Sequence, residues 1–190
     1  MSTSLLYHAF GIRGYEYVRT DYHGGATIFT IRQDPQDCRC SACGSREVAH
    51  RGHAERHFLA LPIGTRKTSV VLPIPRVECR TCGRVRQVKV PFADQRRSYT
   101  KSFERYVLEL SRRMTIKDVA HHLDVGWDTV KDIQKRDLSR RYAKPKLKHL
   151  RAIAIDEIAV AQGHRYLTVV MDLERDSVRG SGQRKRVRTA

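Results

Sequence analysis

The sequence predicts an α+β chain of several domains: a β-rich N-terminal part, a three-helix unit, then a return to strands. Three observations predict it. Two C-x-x-C-G knuckles, at 40–44 and 79–83, bracket an interval rich in β-branched residues. From Thr100 the apolar residues recur with helical spacing. After a basic, proline-containing linker at 144–151, the pattern becomes extended again.

The elements follow in order. Residues 4–10 suit a short helical turn, and Tyr15–Arg19 and Ala26–Ile31 suit two strands around His23-Gly24-Gly25. Asp34-Pro35-Gln36-Asp37 breaks the chain. Residues 55–61 and 67–77 are extended, with prolines at 62, 73 and 75 marking loops and strand ends. Helices are predicted near Thr100–Arg113 and between Thr115 and Leu138. Ala152–Val160 and Arg165–Leu173 are predicted strands joined by Ala161-Gln162-Gly163-His164. Residues 177–190 carry Gly, Ser and five basic side chains without hydrophobic period, and are expected to be disordered.

The cysteines carry the clearest chemistry. Two residues between thiolates let one tight turn aim both sulfurs at one ion, and the glycine after each pair lets backbone N–H groups point at sulfur. Cys40, Cys43, Cys79 and Cys82 thus make a tetrahedral sulfur set suited to structural Zn²⁺, with the interval between the pairs a β-hairpin closed at its base by metal. Cys38 is a rival ligand through Cys38-Arg39-Cys40. Cys40 is assigned because its spacing mirrors the second pair, which leaves Cys38 a free thiol. His50, His53 and His57 lie in the same loop, but four thiolates already close such a site.

Thr115 to Leu138 has the pattern of a helix-turn-helix. Val119, Ala120 and Leu123 form the inner face of one helix, Asp124-Val125-Gly126 the turn, and Val130 and Ile133 the inner face of the next; Phe103, Val107 and Leu110 cover the pair. Asp124 stands where a glycine is common, and aspartate tolerates the left-handed conformation. On such a unit the second helix enters the major groove. Trp127, Thr129, Lys131 and Gln134 are its outward candidates, with Lys131 and Gln134 suited to base edges. Lys135, Arg136, Arg140, Arg141, Lys144, Lys146 and Lys148 would follow phosphates. The competing reading is an ordinary three-helix bundle, which leaves the basic stretch behind the second helix unexplained.

Charge supports a polyanion partner. The net charge is +17, yet residues 1–36 are neutral while residues 129–151 hold nine basic and two acidic side chains. A solvated coat would mix the signs more evenly, so the excess marks a local binding surface, and duplex DNA is the expected partner. No run approaches the ~18 apolar residues of a membrane span, and no basic-then-apolar leader opens the chain. Five cysteines without a leader argue for a reducing compartment, and with a DNA partner the expected location is cytoplasmic and nucleoid-associated. Secreted hormones and membrane proteins are excluded by these counts. Hydrophobic residues make up 40%, below the usual globular share, so a further source of stability such as bound metal is expected.

Ala152–Val160 reads as apolar on both faces except for Asp156 and Glu157. A buried strand carries a carboxylate when something offsets its desolvation, and a divalent ion does so. The next strand ends in Asp172. Strand-end acids facing water are the plainer alternative.

Taken together, C-x-x-C-G at 40–44, Leu61-Pro62-Ile63-Gly64, C-x-x-C-G at 79–83, the helical unit, Ile155-Asp156-Glu157 and the run 163–172 resemble the bacterial insertion-sequence transposases of the ISL3 family. That resemblance implies a ribonuclease-H-like α/β domain beginning near 152, Asp156 as the first acid of a DDE triad, and catalytic Mg²⁺. It also implies that the zinc and helical units recognise the terminal inverted repeats of the element. Only 39 residues follow the linker, so the domain is expected to be incomplete and the later acids missing. The resulting expectation is a transposase fragment that binds DNA but does not cut it alone, working as a homodimer or with a complementing transposase chain. The alternative is a non-catalytic zinc-containing regulator or competitor at the same sites. The expected organisation is a strand segment (1–36), a zinc-ribbon domain (37–95), a helix-turn-helix domain (96–143), the linker (144–151), the start of the catalytic domain (152–176) and a basic tail (177–190).

Overall fold

The computed structural model describes residues 5–143, 151–161, 165–173 and 177–185. They fall into two compact units, Met1–Ile133 and Gln134–Ala190. Lys144, Lys146 and Lys148 lie outside the described residues.

The first unit opens with helix α1 (Leu5–Phe10) and strands β1 (Tyr15–His23) and β2 (Ala26–Gln33). Gly24 and Gly25, at φ 56° and 78°, form the two-residue turn between the strands, the paired positive φ of a type I′ hairpin that glycine adopts without strain. A short 3-10 turn at Pro35–Asp37 follows, capped by the Asp34 side chain, which accepts from the Gln36 N–H. Strands β3 (Val48–Ile63) and β4 (Arg66–Cys79) form one long hairpin, and β5 (Val85–Gln87) follows the second knuckle.

Strand β4 is central. It pairs antiparallel with β3 from Val48↔Cys79 to Ile63↔Arg66. Its other edge is shared: β2 runs parallel to it over Thr68–Val71, and β5 antiparallel over Arg76–Glu78. Alternation places Phe29 and Ile31 of β2, Phe58 and Ala60 of β3, and Val70, Leu72 and Ile74 of β4 in one buried cluster, closed by Leu6 and Phe10 of α1 and by Phe92 and Ala93.

Strand pairing and backbone hydrogen bonds run across residues 36 and 95 inside this unit. The β2–β4 pairing puts the N-terminal strands in the same sheet as the cysteine hairpin. The helices are joined to that sheet through Leu59. Its N–H donates to the Ser98 carbonyl and its own carbonyl accepts from Thr100, both at 2.8 Å. Being out of phase with Phe58 and Ala60, its side chain packs into the helical core instead.

That second core holds helices α2 (Lys101–Leu110), α3 (Ile116–His122) and α4 (Trp127–Arg141). Phe103, Val107, Val119, Ala120, Leu123, Val130 and Ile133 are buried together, with Leu110 and Val125 packed against them. The turn before α4 carries Asp124 at φ 49°, the left-handed position foreseen for it.

Thr115 caps α3. Its hydroxyl accepts from the Asp118 N–H at 3.2 Å and donates to the Asp118 carboxylate at 2.7 Å. Thr115→Ala is expected to lower unfolding free energy by about 1 kcal/mol in urea titrations followed by circular dichroism. An unchanged midpoint would show that the cap contributes nothing.

The second unit contains an antiparallel meander of β6 (Ile153–Ala161), β7 (Arg165–Asp172) and β8 (Ser177–Lys185), in that order. Two expectations are corrected here. Ser177–Lys185, expected to be disordered, pairs along β7 from Asp172↔Ser177 to Arg165↔Lys185. A strand needs an open partner edge more than a hydrophobic period, and β7 offers one. Strand β6, expected to be buried on both faces, is an edge strand, with Ile153 49%, Ile155 64% and Ile158 50% exposed.

Candidate metal centre and nucleic-acid interface

Sequence spacing alone brings Cys40 near Cys43 and Cys79 near Cys82; the β3–β4 register brings the two pairs together. Val48 pairs with Cys79, so the chain leaving the first knuckle enters the hairpin beside the second. The knuckles are built alike. In each, the glycine N–H donates to the carbonyl of the first cysteine, Gly44 to Cys40 at 2.9 Å and Gly83 to Cys79 at 2.8 Å. Both glycines have positive φ, 79° and 65°, which a side chain would strain.

The four Sγ atoms lie within 4.8 Å of one another. Cys40 to Cys82 is 3.7 Å and Cys43 to Cys79 is 3.5 Å. A Zn–S bond of about 2.3 Å in a regular tetrahedron requires sulfurs about 3.8 Å apart, so this donor set fits one zinc ion. Two of the four thiols are shifted toward the thiolate and one away from it. The Cys79 thiol is held down to about 6, first by the Cys82 backbone N–H, and Cys40 is lowered, first by the Cys43 N–H. At Cys43 the Ser45 N–H favours the thiolate, but the Cys79 sulfur and burial outweigh it and push the group up to about 12. Four thiolates at this spacing repel one another, and a dication removes that repulsion.

Cys38 does not join the cluster. It is buried with Val77 and Val88 beneath the knuckles, and its thiol is directed at the Asp34 carbonyl, 3.8 Å away. Burial first, then Asp34 and Asp37, push the thiol up. The free-thiol reading therefore matches its surroundings. His50, His53 and His57 are exposed on β3, outside the sulfur cluster.

Helix α4 displays the groove candidates unevenly. Trp127 is 47% exposed, and the Lys131 ammonium sits 4.6 Å from the centre of its ring. Lys131 also faces Asp128 at 3.8 Å. Thr129, Gln134 and Arg136 are half-buried, and Lys135 is exposed. Arg140 and Arg141 both grip Asp137, at 2.8 Å and 2.6 Å. Asp137 is nearly buried; burial opposes its charge, but hydrogen bonds from the two guanidiniums hold the carboxyl below its usual range. The two arginines thus keep a net positive charge while tied to the helix. Sequence reasoning missed this, although Asp137 followed at i+3 and i+4 by arginines is a helical ion-pair spacing.

Asp156 is exposed on β6, and its Oδ1 accepts from the Glu157 N–H at 2.8 Å. Among the described residues the only group of three or more metal-ligating side chains is the four cysteines, and Asp156 is in no such group. No cluster of three or more carboxylates that would hold a pair of Mg²⁺ ions is formed among the described residues.

Sulfur knuckles closing a β-hairpin, joined to three helices whose last carries a basic surface, define a metal-stabilised protein of the DNA-binding class. The comparisons with known proteins specify it. Residues 36–82 match the zinc-finger of the transposases of IS204, IS1001, IS1096 and IS1165, and residues 88–138 match the helix-turn-helix domain of transposase family ISL3. The chain is 29% identical over 165 residues to the transposase for insertion sequence element IS1001 of Bordetella parapertussis, covering 85% of this chain and 41% of that protein. It is 32% identical over 168 residues to the transposase for IS1557 of Mycobacterium tuberculosis, covering 85% of this chain and 37% of that protein. This chain belongs to the ISL3 family of transposases. It spans about two-fifths of the length of these curated relatives. No solved structure matches it. No helix among the described residues is long and apolar enough to cross a membrane.

Proposed function

We propose that this chain binds the terminal inverted repeats of an insertion sequence, as the DNA-recognising part of a transposase. The observation that carries the reading is α4: a basic helix that begins with an exposed Trp127 and Asp128 and lies up to residue 138 in the segment matched by the family's helix-turn-helix. Lys131 and Gln134 read base edges, with Trp127 and Thr129 beside them. Lys135, Arg136, Arg140, Arg141, Lys144, Lys146 and Lys148 contact phosphates. Cys40, Cys43, Cys79 and Cys82 hold one structural zinc ion, which keeps the hairpin base closed. An insertion sequence has two ends, so a homodimer or a complementing transposase chain would hold both. The protein would work on the nucleoid.

Cleavage and strand transfer need clustered carboxylates. Asp156 is the residue of this chain that would contribute the first, with Mg²⁺ as the ion. The second reading is a non-catalytic regulator or competitor at the same repeats, for which DNA binding through the basic α4 would suffice.

The test is a mobility-shift titration of the full chain on a duplex carrying any inverted repeat found in the DNA flanking its coding sequence, against a random duplex. Preferred binding of the repeat is expected, with log affinity falling against log salt by about 0.9 per phosphate neutralised. Lys131→Ala and Gln134→Ala should each erode the preference by about 1–3 kcal/mol. Equal binding to both duplexes rejects repeat recognition. Nicking of the repeat duplex with Mg²⁺, abolished by Asp156→Ala, supports the enzyme; a shift without nicking supports the regulator.

A further inference from the structure

We propose that the tip of the β3–β4 hairpin, Ile63-Gly64-Thr65-Arg66, is a second contact with duplex DNA, resting on the phosphate backbone beside the groove entered by the first turns of α4. The inference rests on the DNA-binding reading of α4 and adds a surface that the helix pattern does not contain.

The first observation is position. Lys67, one residue past the tip, reaches the turn before α4. Its ammonium donates to the Asp124 carbonyl at 2.7 Å and meets the Asp124 carboxylate at 3.1 Å. Asp124 precedes Trp127, the first residue of α4, by three positions. The tip therefore stands next to the end of the helix that would point into the groove. It is also held there, because Leu59, four residues before Ile63, is bonded to Ser98 and Thr100 and packed in the helical core.

The second is shape and chemistry. Ile63 pairs with Arg66 across a two-residue turn, with Gly64 at φ 62°. That is the narrowest loop a hairpin makes, and the leading glycine with positive φ suits a type II′ turn. Ile63 is 42% exposed, and Thr65 and Arg66 are exposed. No acidic residue occurs between Glu55 and Glu78, while Arg56, Arg66, Lys67 and Arg76 do. No ion pair among the described residues engages the Arg66 guanidinium, so its fork is available to a phosphate, for which bidentate geometry is well suited. The Leu61-Pro62-Ile63-Gly64 run, unexplained by the zinc site or the helices, then has a role: it shapes the tip. Lys67 is a positioning residue, holding the tip to the turn rather than touching DNA.

The experiment uses the full chain and a fluorescein-labelled 30-base-pair random duplex, with anisotropy titrations over a range of KCl concentrations. Arg66→Ala is expected to weaken binding several-fold and to reduce the salt slope by about 0.9, the loss of one phosphate contact. Arg66→Lys should keep most of the slope, and Lys67→Met should weaken binding through loss of tip placement. Arg66→Gln serves as a second neutral variant should the alanine form fold poorly by circular dichroism. Unchanged affinity and slope in the neutral variants overturns the proposal. If Lys131→Ala with Lys135→Ala weakens binding while Arg66→Ala does not, the tip falls and the α4 reading stands. If the unaltered chain ignores the duplex at low salt, both fall.

Discussion

Removing the metal, or one of its four sulfurs, is expected to open the base of the β3–β4 hairpin while the helical core stays assembled. The knuckles are small and polar, and the apolar cluster beneath them is limited to Cys38, Val77 and Val88 with Val48 packed against it. The larger clusters around Phe58 and around Val119 lie elsewhere. The knuckle segments thus depend on coordination, and structural zinc supplies about 10 kcal/mol or more of apparent binding free energy in small domains at neutral pH. Purified chain should contain one zinc ion, and Cys43→Ser or Cys79→Ser should lose it. Hydrogen exchange after chelation should rise over 38–54 and 75–89 and remain slow in α2 and α3. Cys38→Ser should retain the ion, because Cys38 stands outside the sulfur cluster. Loss of zinc from Cys38→Ser, or its retention in Cys79→Ser, would refute this ligand set. Acid should release the metal, since protons compete for the thiolates.

Phe58→Ala is expected to destabilise the first unit by about 3–5 kcal/mol, the usual range for emptying a fully buried aromatic site. Phe58 is completely buried, and its ring meets the Phe92 ring edge-on at 5.3 Å. The Arg56 guanidinium lies 4.9 Å from its centre and donates to the Arg97 carbonyl at 2.6 Å, close to the entry into α2. Its neighbour Leu59 belongs to the helical core. A cavity at 58 therefore strains the strand on which both cores hang, and the two should melt at one lowered midpoint. The check is denaturant unfolding monitored by far-ultraviolet circular dichroism and by Trp127 fluorescence. Two separated transitions, or a loss below about 1 kcal/mol, would show that sheet and helices are energetically independent.

The legible parts of this protein are those encoded over short stretches of chain. The C-x-x-C-G spacing is a local turn geometry, so the four sulfurs that cluster could be chosen from residue order, with Cys40 among them and Cys38 outside. The apolar spacing of Val119, Leu123, Val130 and Ile133 is a local property of helices, and all four are buried together. The left-handed turn at Asp124 was equally local. Strand β5 and the strand at 177–185 were missed because three exposed residues, or a polar Gly-Ser run, become a strand only when a neighbouring edge is available. The exposed setting of β6 was misjudged for the same reason: an apolar run specifies neither its neighbours nor its place in the sheet.

By itself, the sequence determined the metal knuckles, the long hairpin between them, the three helices with their inward faces, and the basic character of α4. The tertiary structure alone decided that β2 lies parallel to β4, that Leu59 leaves its own sheet for the helical core, that Lys67 reaches Asp124, and that Asp156 is exposed on β6. The physical reason is range. Turn and helix preferences act over a few residues and leave a period in the chain, whereas strand neighbours and side-chain reach are set by which distant edges and surfaces meet, and no period records that.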